Sequence, residues 1–488
     1  MHNKVVCSVD DKTRDIENAK KLGRRDRRKT ERILKKKYND KNLRILKGPK
    51  FSKQIESLNS KQRRELAKDK NLAKEIMKIL NKYLPQLTKI FSELTDKRNK
   101  SYIRYKIRAI IMTRLFALIC GITTMTEINS PSKFNVDNAI ENLSSICNQN
   151  LKETPDWQTI QDVIEEMDIK EIEGIRKYIV NAFIRSKMFD KWRYNNGAFQ
   201  LVVDATGISS HDYNLNGNCI TKKSKNGVIK YYKQVLEAKI VVGNIVISVD
   251  TEWIENADMI TEKKKQDCEI NAFKRMAPRI KKNYPKLKFI ITGDALYATT
   301  PMINICKDYK WYYIFNLKKD RLKQVYEDFQ DNVNYENETK KENYKLSYGI
   351  TFKENKLNAL SYQEEQDGEL VTFNYVTNLK VTDNNIETIV KMGRKRWKIE
   401  NEGFNEQKNG TYSISHLCSR NENAIRIHYL FIQIAHLIRQ LLENGSIVLR
   451  EMKLKTKKEV SYFITLSLTS NVSSFENLET NFQLRFDY

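Results

Sequence analysis

The stretch that most constrains this chain is Gly197-Ala-Phe-Gln-Leu-Val-Val-Asp-Ala-Thr-Gly-Ile208. Phe199 to Val203 is a short apolar run rich in β-branched residues, which predicts a buried strand. The run stops on a carboxylate, Asp204, just before Gly207, so the strand is expected to deliver an acid to its exposed end. Lys288-Phe-Ile-Ile-Thr-Gly-Asp294 repeats the pattern, and Ala295-Leu-Tyr-Ala after it reads as a helix start. An aspartate after a strand is also a common turn or N-cap residue, so the surroundings must decide between structure and chemistry.

A chain of 488 residues with 40% hydrophobic residues can bury a sizeable core. Its net charge of +26 attracts polyanions, and nucleic acid is the first partner to consider. The seven cysteines are scattered without a C-x-x-C pair, which predicts neither a zinc site nor a disulfide framework and places the chain in a reducing, cytoplasmic setting. The most apolar stretch, 109–125, is interrupted by Arg114, so no membrane anchor is expected.

Of the net charge, +18 lies in residues 1–100, which hold 31 Lys and Arg against 13 Asp and Glu. Arg24, Arg25, Arg27 and Arg28, then Lys35, Lys36 and Lys37, sit in helix-compatible sequence and predict salt-dependent contact with phosphates. From Leu72 to Leu94 apolar residues recur at three- and four-residue steps, an amphipathic helix broken or kinked at Pro85. Residues 101–195 read as a helical connector, with helix starts expected at Ser130-Pro131 and at Thr154-Pro155-Asp156.

After the Asp204 strand comes a polar loop (213–227), then two apolar runs, 235–242 and 245–249, joined by Gly243-Asn244 as a hairpin. A helix over 260–284 leads into the Asp294 strand. A helix (295–309), a strand (311–317), charged and strand-like sequence (319–376) and a helix (385–408) follow. A helical crossover implies parallel strands, so both aspartates are expected at one edge of one sheet.

Two carboxylates at adjacent strand ends suit a pair of magnesium ions, which take hard oxygen ligands and keep positions open for phosphate and water. The last helix offers a third acid in Arg394-Lys-Arg-Trp-Lys-Ile-Glu-Asn-Glu-Gly-Phe-Asn-Glu-Gln-Lys408, where Ile399 and Phe404 mark an inward face beside Glu400. Glu402, two positions on, faces away on a helix. This ordered set resembles the DDE transposases of bacterial insertion sequences. Within them it is most similar to the group with a β-rich insertion before the last acid and a Tyr-x2-Arg-x3-Glu-x6-Lys signature. Arg396 and Glu400 fit that signature; its tyrosine place is Gly393, and its lysine place falls on Gln407, one residue before Lys408.

The resemblance implies an α/β fold: a ribonuclease-H-like mixed-sheet core over 196–445 with an insertion at about 319–376. A basic helical DNA-binding region (1–100) and the helical connector (101–195) precede it, and a C-terminal extension (446–488) follows. It further implies that Asp204, Asp294 and Glu400 hold two Mg²⁺, with Mn²⁺ as the substitute. They would cut double-stranded DNA at transposon ends and join it to a target, with a homodimer assembled on the DNA at the bacterial nucleoid. Arg396 and Lys408 would then contact DNA. Trp397 would be a platform for an unstacked base, a core tryptophan being the other reading. A ribonuclease-H-like nuclease or resolvase, or a non-catalytic DNA-binding derivative, would share this sequence. Asp267 and Glu269 read as a solvated helix face, and His428 and His436 as packed core residues.

Overall fold

The computed structural model describes residues 14–16, 18–19, 24–38, 51–131, 133–194, 197–224, 226–256, 266–331, 343–476, 478 and 481–486. Helix α1 (Arg24–Lys37) carries the basic runs. The side chains of Arg24, Arg25, Arg27 and Arg28 lie outside the described residues. Lys35 pairs with Glu31, Lys37 donates to Asp15, and Lys36 is exposed.

The helical region continues with α2 (Ser60–Asp69), α3 (Leu72–Tyr83), α4 (Leu87–Glu93), α5 (Ile107–Ile119), α6 (Asp137–Cys147), α7 (Trp157–Glu166) and α8 (Ile169–Ser186). Pro85 separates α3 from α4, because proline cannot donate to the helical ladder and clashes with the preceding turn. Two predicted helix starts shift. At Thr154-Pro155-Asp156 it is Asp156 that caps, accepting from Gln158 N–H, so proline lies before the cap. At Ser130-Pro131 the chain turns, with Lys133 and Asn135 both donating to the Ser130 carbonyl, and α6 starts only at Asp137.

Among the described residues nine strands form one sheet: β1 (Phe199–His211), β2 (Ile220–Lys223), β3 (Ile229–Val242), β4 (Ile245–Ile254), β5 (Phe289–Gly293), β6 (Tyr312–Asn316), β7 (Tyr344–Phe352), β8 (Asn355–Gln366) and β9 (Glu369–Thr377). Their order is β2-β3-β1-β5-β6-β9-β8-β7, with β4 also paired to β3. β5 runs parallel to both β1 and β6, and every other pairing is antiparallel. The predicted hairpin joins β3 to β4, with Gly243 at φ +58° in the turn, where a side chain would be strained. The polar loop after β1 contains the short β2. The insertion holds a helix, α11 (Lys323–Asp331), and three strands that extend the same sheet through β9; 332–342 lie outside the described residues.

β1 is longer than its apolar run. It passes Asp204 and stays paired with β3 as far as His211, because Thr206 and Ile208 keep alternating into buried positions. What ends near Asp204 is the parallel pairing with β5.

Helices α9 (Glu269–Asn283), α10 (Thr300–Asp308) and α12 (Ile386–Lys395) pack on the sheet. The predicted first residues of α9, 260–265, lie outside the described residues. After α12 the chain bends at Arg396 into a π segment (Ile399–Asn405) and then α13 (Glu406–Asn409). Helix α14 (Glu422–Gly445) is buried along most of its length and joins the layers, touching β4 as well as α3, α5, α7 and α8. Helix α15 (Lys457–Thr469) packs on α2, α3 and α6. One core therefore runs from Ile55 to Leu484.

Candidate active site

The position of Asp204 follows from register. Val202 on β1 is paired with Thr292 on β5, and each aspartate lies two residues further along its strand. Since side chains alternate, Gln200, Val202 and Asp204 share a face. That face is covered by α12 and the π segment: Gln200 donates to the Met392 carbonyl at 2.7 Å, and Val202 packs with Ile399 and Phe404. The opposite face, through Leu201 and Val203, belongs to the main core.

Asp294 also serves as an N-cap. Its Oδ1 accepts from Leu296 N–H at 2.8 Å and starts a 3-10 turn, Ala295–Tyr297, so the predicted helix (295–309) begins only at Thr300, as α10. Gly293 is required there: a Cβ on it would lie 2.7 Å from the Tyr297 ring. Structural and chemical readings of this aspartate thus coexist, since capping occupies one oxygen only.

Asp204 accepts from Ala205 N–H at Oδ1 (3.0 Å) and from Arg396 Nη1 at Oδ2 (3.1 Å). Burial pushes its carboxyl up to about 6 despite Arg396, and the charges of Glu269 and Asp294 add to the rise. Thr206, on the same side of β1, is buried with its hydroxyl unpartnered.

Sequence reading missed Glu269. This first residue of α9 accepts from the Tyr297 hydroxyl at 2.7 Å, and burial, with the Asp294 charge adding, pushes its carboxyl up. Its neighbour Asp267 faces elsewhere, paired with Arg275 at 2.7 Å. Only the strand-to-helix crossover brings Glu269 to the aspartates, and no local pattern announces that.

Glu400 lies on the π segment and is exposed, without a hydrogen bond or ion pair among the described residues. Glu402 faces another way: Lys398 reaches both it (3.5 Å) and Asn244 (2.8 Å), and Asn244 is in the β3–β4 turn, at the opposite end of β1 from Asp204. Among the described residues no three His, Cys, Asp or Glu side chains stand close enough together to hold a metal ion. The charges of Glu269 and Asp294 act on Asp204, and that of Asp294 acts on Glu269.

Both departures from the signature have local explanations. A Cβ on Gly393 would lie 2.4 Å from the Tyr375 ring, so a tyrosine from β9 fills the space that a side chain at 393 would need. Gln407 is fully buried and bonded to Gln433 (2.9 Å) and His436 Nδ1 (3.0 Å) on α14. Gln433 also accepts from the buried Lys239 Nζ at 2.8 Å. Lys408 instead remains partly exposed, its Nζ 6.0 Å from the Phe404 ring centre. Trp397 is 64% exposed, so the core-tryptophan alternative does not hold.

Parallel strands carrying two acids in matching register, an antiparallel extension and then an acid-bearing helix define a ribonuclease-H-like catalytic core with a β-rich insertion. The family model described as transposase DDE domain matches residues 200–438, and the model of the domain associated with it matches 88–178. Together they cover about two thirds of the chain, which belongs to the DDE transposase family. At family level its activity is that of a transposase, which cleaves DNA and transfers strands. No curated protein matches the chain. Among the described residues no helix is long and apolar enough to cross a membrane.

Proposed function

We propose that Asp204, Asp294 and Glu400 are the carboxylates that carry out cleavage at the element's ends and transfer to a target. The observation that carries this reading is the matching register of the two aspartates on parallel strands. Their hard oxygen donors suit Mg²⁺, and the raised Asp204 carboxyl and unpartnered Thr206 hydroxyl suit a polar cationic ligand. Asp204 and Asp294 would hold the ions, with Glu400 joining once DNA is bound. When bound, two divalent ions supply charge neutralisation of the phosphate and activation of the attacking oxygen.

The rest falls to the chain's own residues. In cleavage, water attacks the scissile phosphate, leaving a 3′ hydroxyl on one side and a 5′ phosphate on the other. In transfer, that 3′ hydroxyl attacks a target phosphodiester, displacing a new 3′ hydroxyl. Arg396 pairs with Asp204 in the resting protein and would be available to the phosphate if a cation were held at Asp204. An i→i+5 ladder closes one more residue into each hydrogen-bonded ring than the α ladder. The π segment can thereby absorb the one residue by which Lys408 lies beyond the signature's lysine place. Lys408 then takes the signature lysine's role, while Gln407 anchors the segment to α14. Trp397, exposed beside Arg396, offers a stacking surface for a base. Two copies of the chain act together on the paired ends, and α1 adds electrostatic grip on the duplex.

Metal placement can be mapped by replacing Mg²⁺ with Fe²⁺ and generating radicals on the DNA-bound protein. Backbone scission near 204, 294 and 400 is expected. Scission confined to other positions would overturn the assignment.

A further inference from the structure

A cavity of about 800 Å³ opens where the acid-bearing helix ends. Its walls come from four separated stretches: the turn that ends α5, Lys133 in the turn before α6, the end of α13 with the loop following it, and one side of α15. No lining residue is acidic, although the chain has 61 Asp and Glu. Lys133, Lys457 and Lys458 line it together with the hydroxyls of Thr411, Ser413 and Ser461. Gly121 (φ +77°) keeps one wall close, since a Cβ there would meet Ser461 Oγ at 2.9 Å.

The ion pairs around the cavity explain its sign. Lys457 bridges Glu406 (3.6 Å) and Glu443 (3.2 Å), which consumes those carboxylates and ties α15 to the acid-bearing helix. Arg439 takes Glu443 further, at 2.6 Å, and Thr411 takes Glu406 at 2.6 Å. Lys133 and Lys458 have no carboxylate partner among the described residues. Lys133, Lys458 and Ser413 line a wide cleft with no acid among its described lining residues, and ammonium groups in such a setting are complementary to phosphodiesters.

We infer that this cleft is a second DNA-backbone site, holding phosphates of the strand whose scissile bond lies at Glu400. The inference rests on the catalytic reading for its register, but not for its binding chemistry. Asn409, which lines the cleft, is nine residues beyond Glu400, at most about 13 Å at the α-helical rise of about 1.5 Å per residue, since a π segment rises less. A strand laid along this helix reaches the cleft about four nucleotides from the cut, at about 3.4 Å of rise per phosphate.

The test uses the full chain and a 40-base-pair duplex, comparing wild type with Lys133→Gln/Lys458→Gln. Loss of two phosphate contacts lowers the log–log salt slope of binding by about 1.8, and affinity at moderate salt falls roughly tenfold or more, with an unchanged melting temperature. DNA should also protect Lys133 and Lys458 from an amine-reactive reagent, read by mass spectrometry on wild-type protein. Equal slopes and equal modification with and without DNA would overturn the inference. Protection by inorganic phosphate but not by the duplex would overturn it too, leaving a small-anion site. An Asp204→Ala protein that still cleaves would instead sink the catalytic reading and leave this binding result standing.

Discussion

Arg396 donates to Asp204 at 3.1 Å across 192 residues of sequence, joining the helix that carries Glu400 to the strand that carries the first acid. The guanidinium offsets part of the burial that raises the Asp204 carboxyl, and in the proposed mechanism it would serve a phosphate with a cation bound. Replacing Arg396 with Gln is therefore expected to slow single-turnover cleavage about 10²-fold, the usual cost of a lost charge-stabilising donor. DNA affinity should change only a few-fold. Cleavage within twofold of wild type would show that the pair is merely structural.

Lys239 makes a second link to the same helix. It is almost fully buried, bonded to Gln433, 4.0 Å from Glu237 and 5.1 Å from the Phe404 ring centre. Through Gln433 and Gln407 it fixes the π segment, so Lys239→Met should raise the Mg²⁺ concentration needed for half-maximal cleavage while DNA affinity stays near wild type. Because Glu400 would join only once DNA is bound, Mn²⁺ binding followed by electron paramagnetic resonance should be unchanged in the free variant and weakened in its DNA complex. An unchanged Mg²⁺ requirement in the folded variant rules out this positioning role.

Where the basic arm can be cut follows from burial. Leu72, Ile76, Leu80 and Phe91 belong to the main core, and each buried side chain of this size is worth about 1.5–3 kcal/mol. A truncation starting at Ser101 should not fold. One starting at Phe51 removes a net +11 and should fold, yet bind DNA more weakly and with a shallower salt slope. Melting curves and binding across a salt series check both; equal slopes for full chain and the Phe51 truncation would make the arm a solvated tail.

Two buried imidazoles set an acid limit on stability. His428 Nδ1 lies 3.1 Å from Arg114 Nη2, and His436 Nδ1 lies 3.0 Å from Gln407 Nε2, so both rings act as acceptors and stay neutral. Burial holds both well below the ordinary histidine range of about 6.5. The unfolded chain takes up these protons first. Stability is thus fully present above about pH 6.5 and falls with acidification below it, by up to about 1.4 kcal/mol per pH unit for each ring. Denaturant unfolding at pH 7.5 and 5.5 measures the loss. Replacing His436 with Gln should reduce the difference, and an unchanged difference in both single variants would contradict the assignment.

Local chemistry made much of this architecture legible. Apolar runs ending on Asp204 and Asp294, Gly243-Asn244 between two strands, and Pro85 inside an amphipathic stretch each act within a few residues. Features built by distant chain segments were hidden. β1 outruns its apolar core because β3 pairs with it to His211. Glu269 meets the aspartates only through the crossover, and Tyr375 fills the space at Gly393 from another strand. The π segment was unreadable because buried contacts of Gln407 and Lys239, not helix propensity, hold it.

The central claim is most directly tested on a supercoiled plasmid carrying the coding region with its flanking DNA. Wild-type protein, Asp204→Asn, Asp294→Asn and Glu400→Gln would each be assayed for Mg²⁺-dependent cleavage, with DNA affinity measured in parallel. Each substitution removes one charge at nearly constant shape, so cleavage should fall below detection while affinity stays within about threefold, since grip comes mainly from phosphate contacts elsewhere. Cleavage persisting in any one of the three variants would contradict the account.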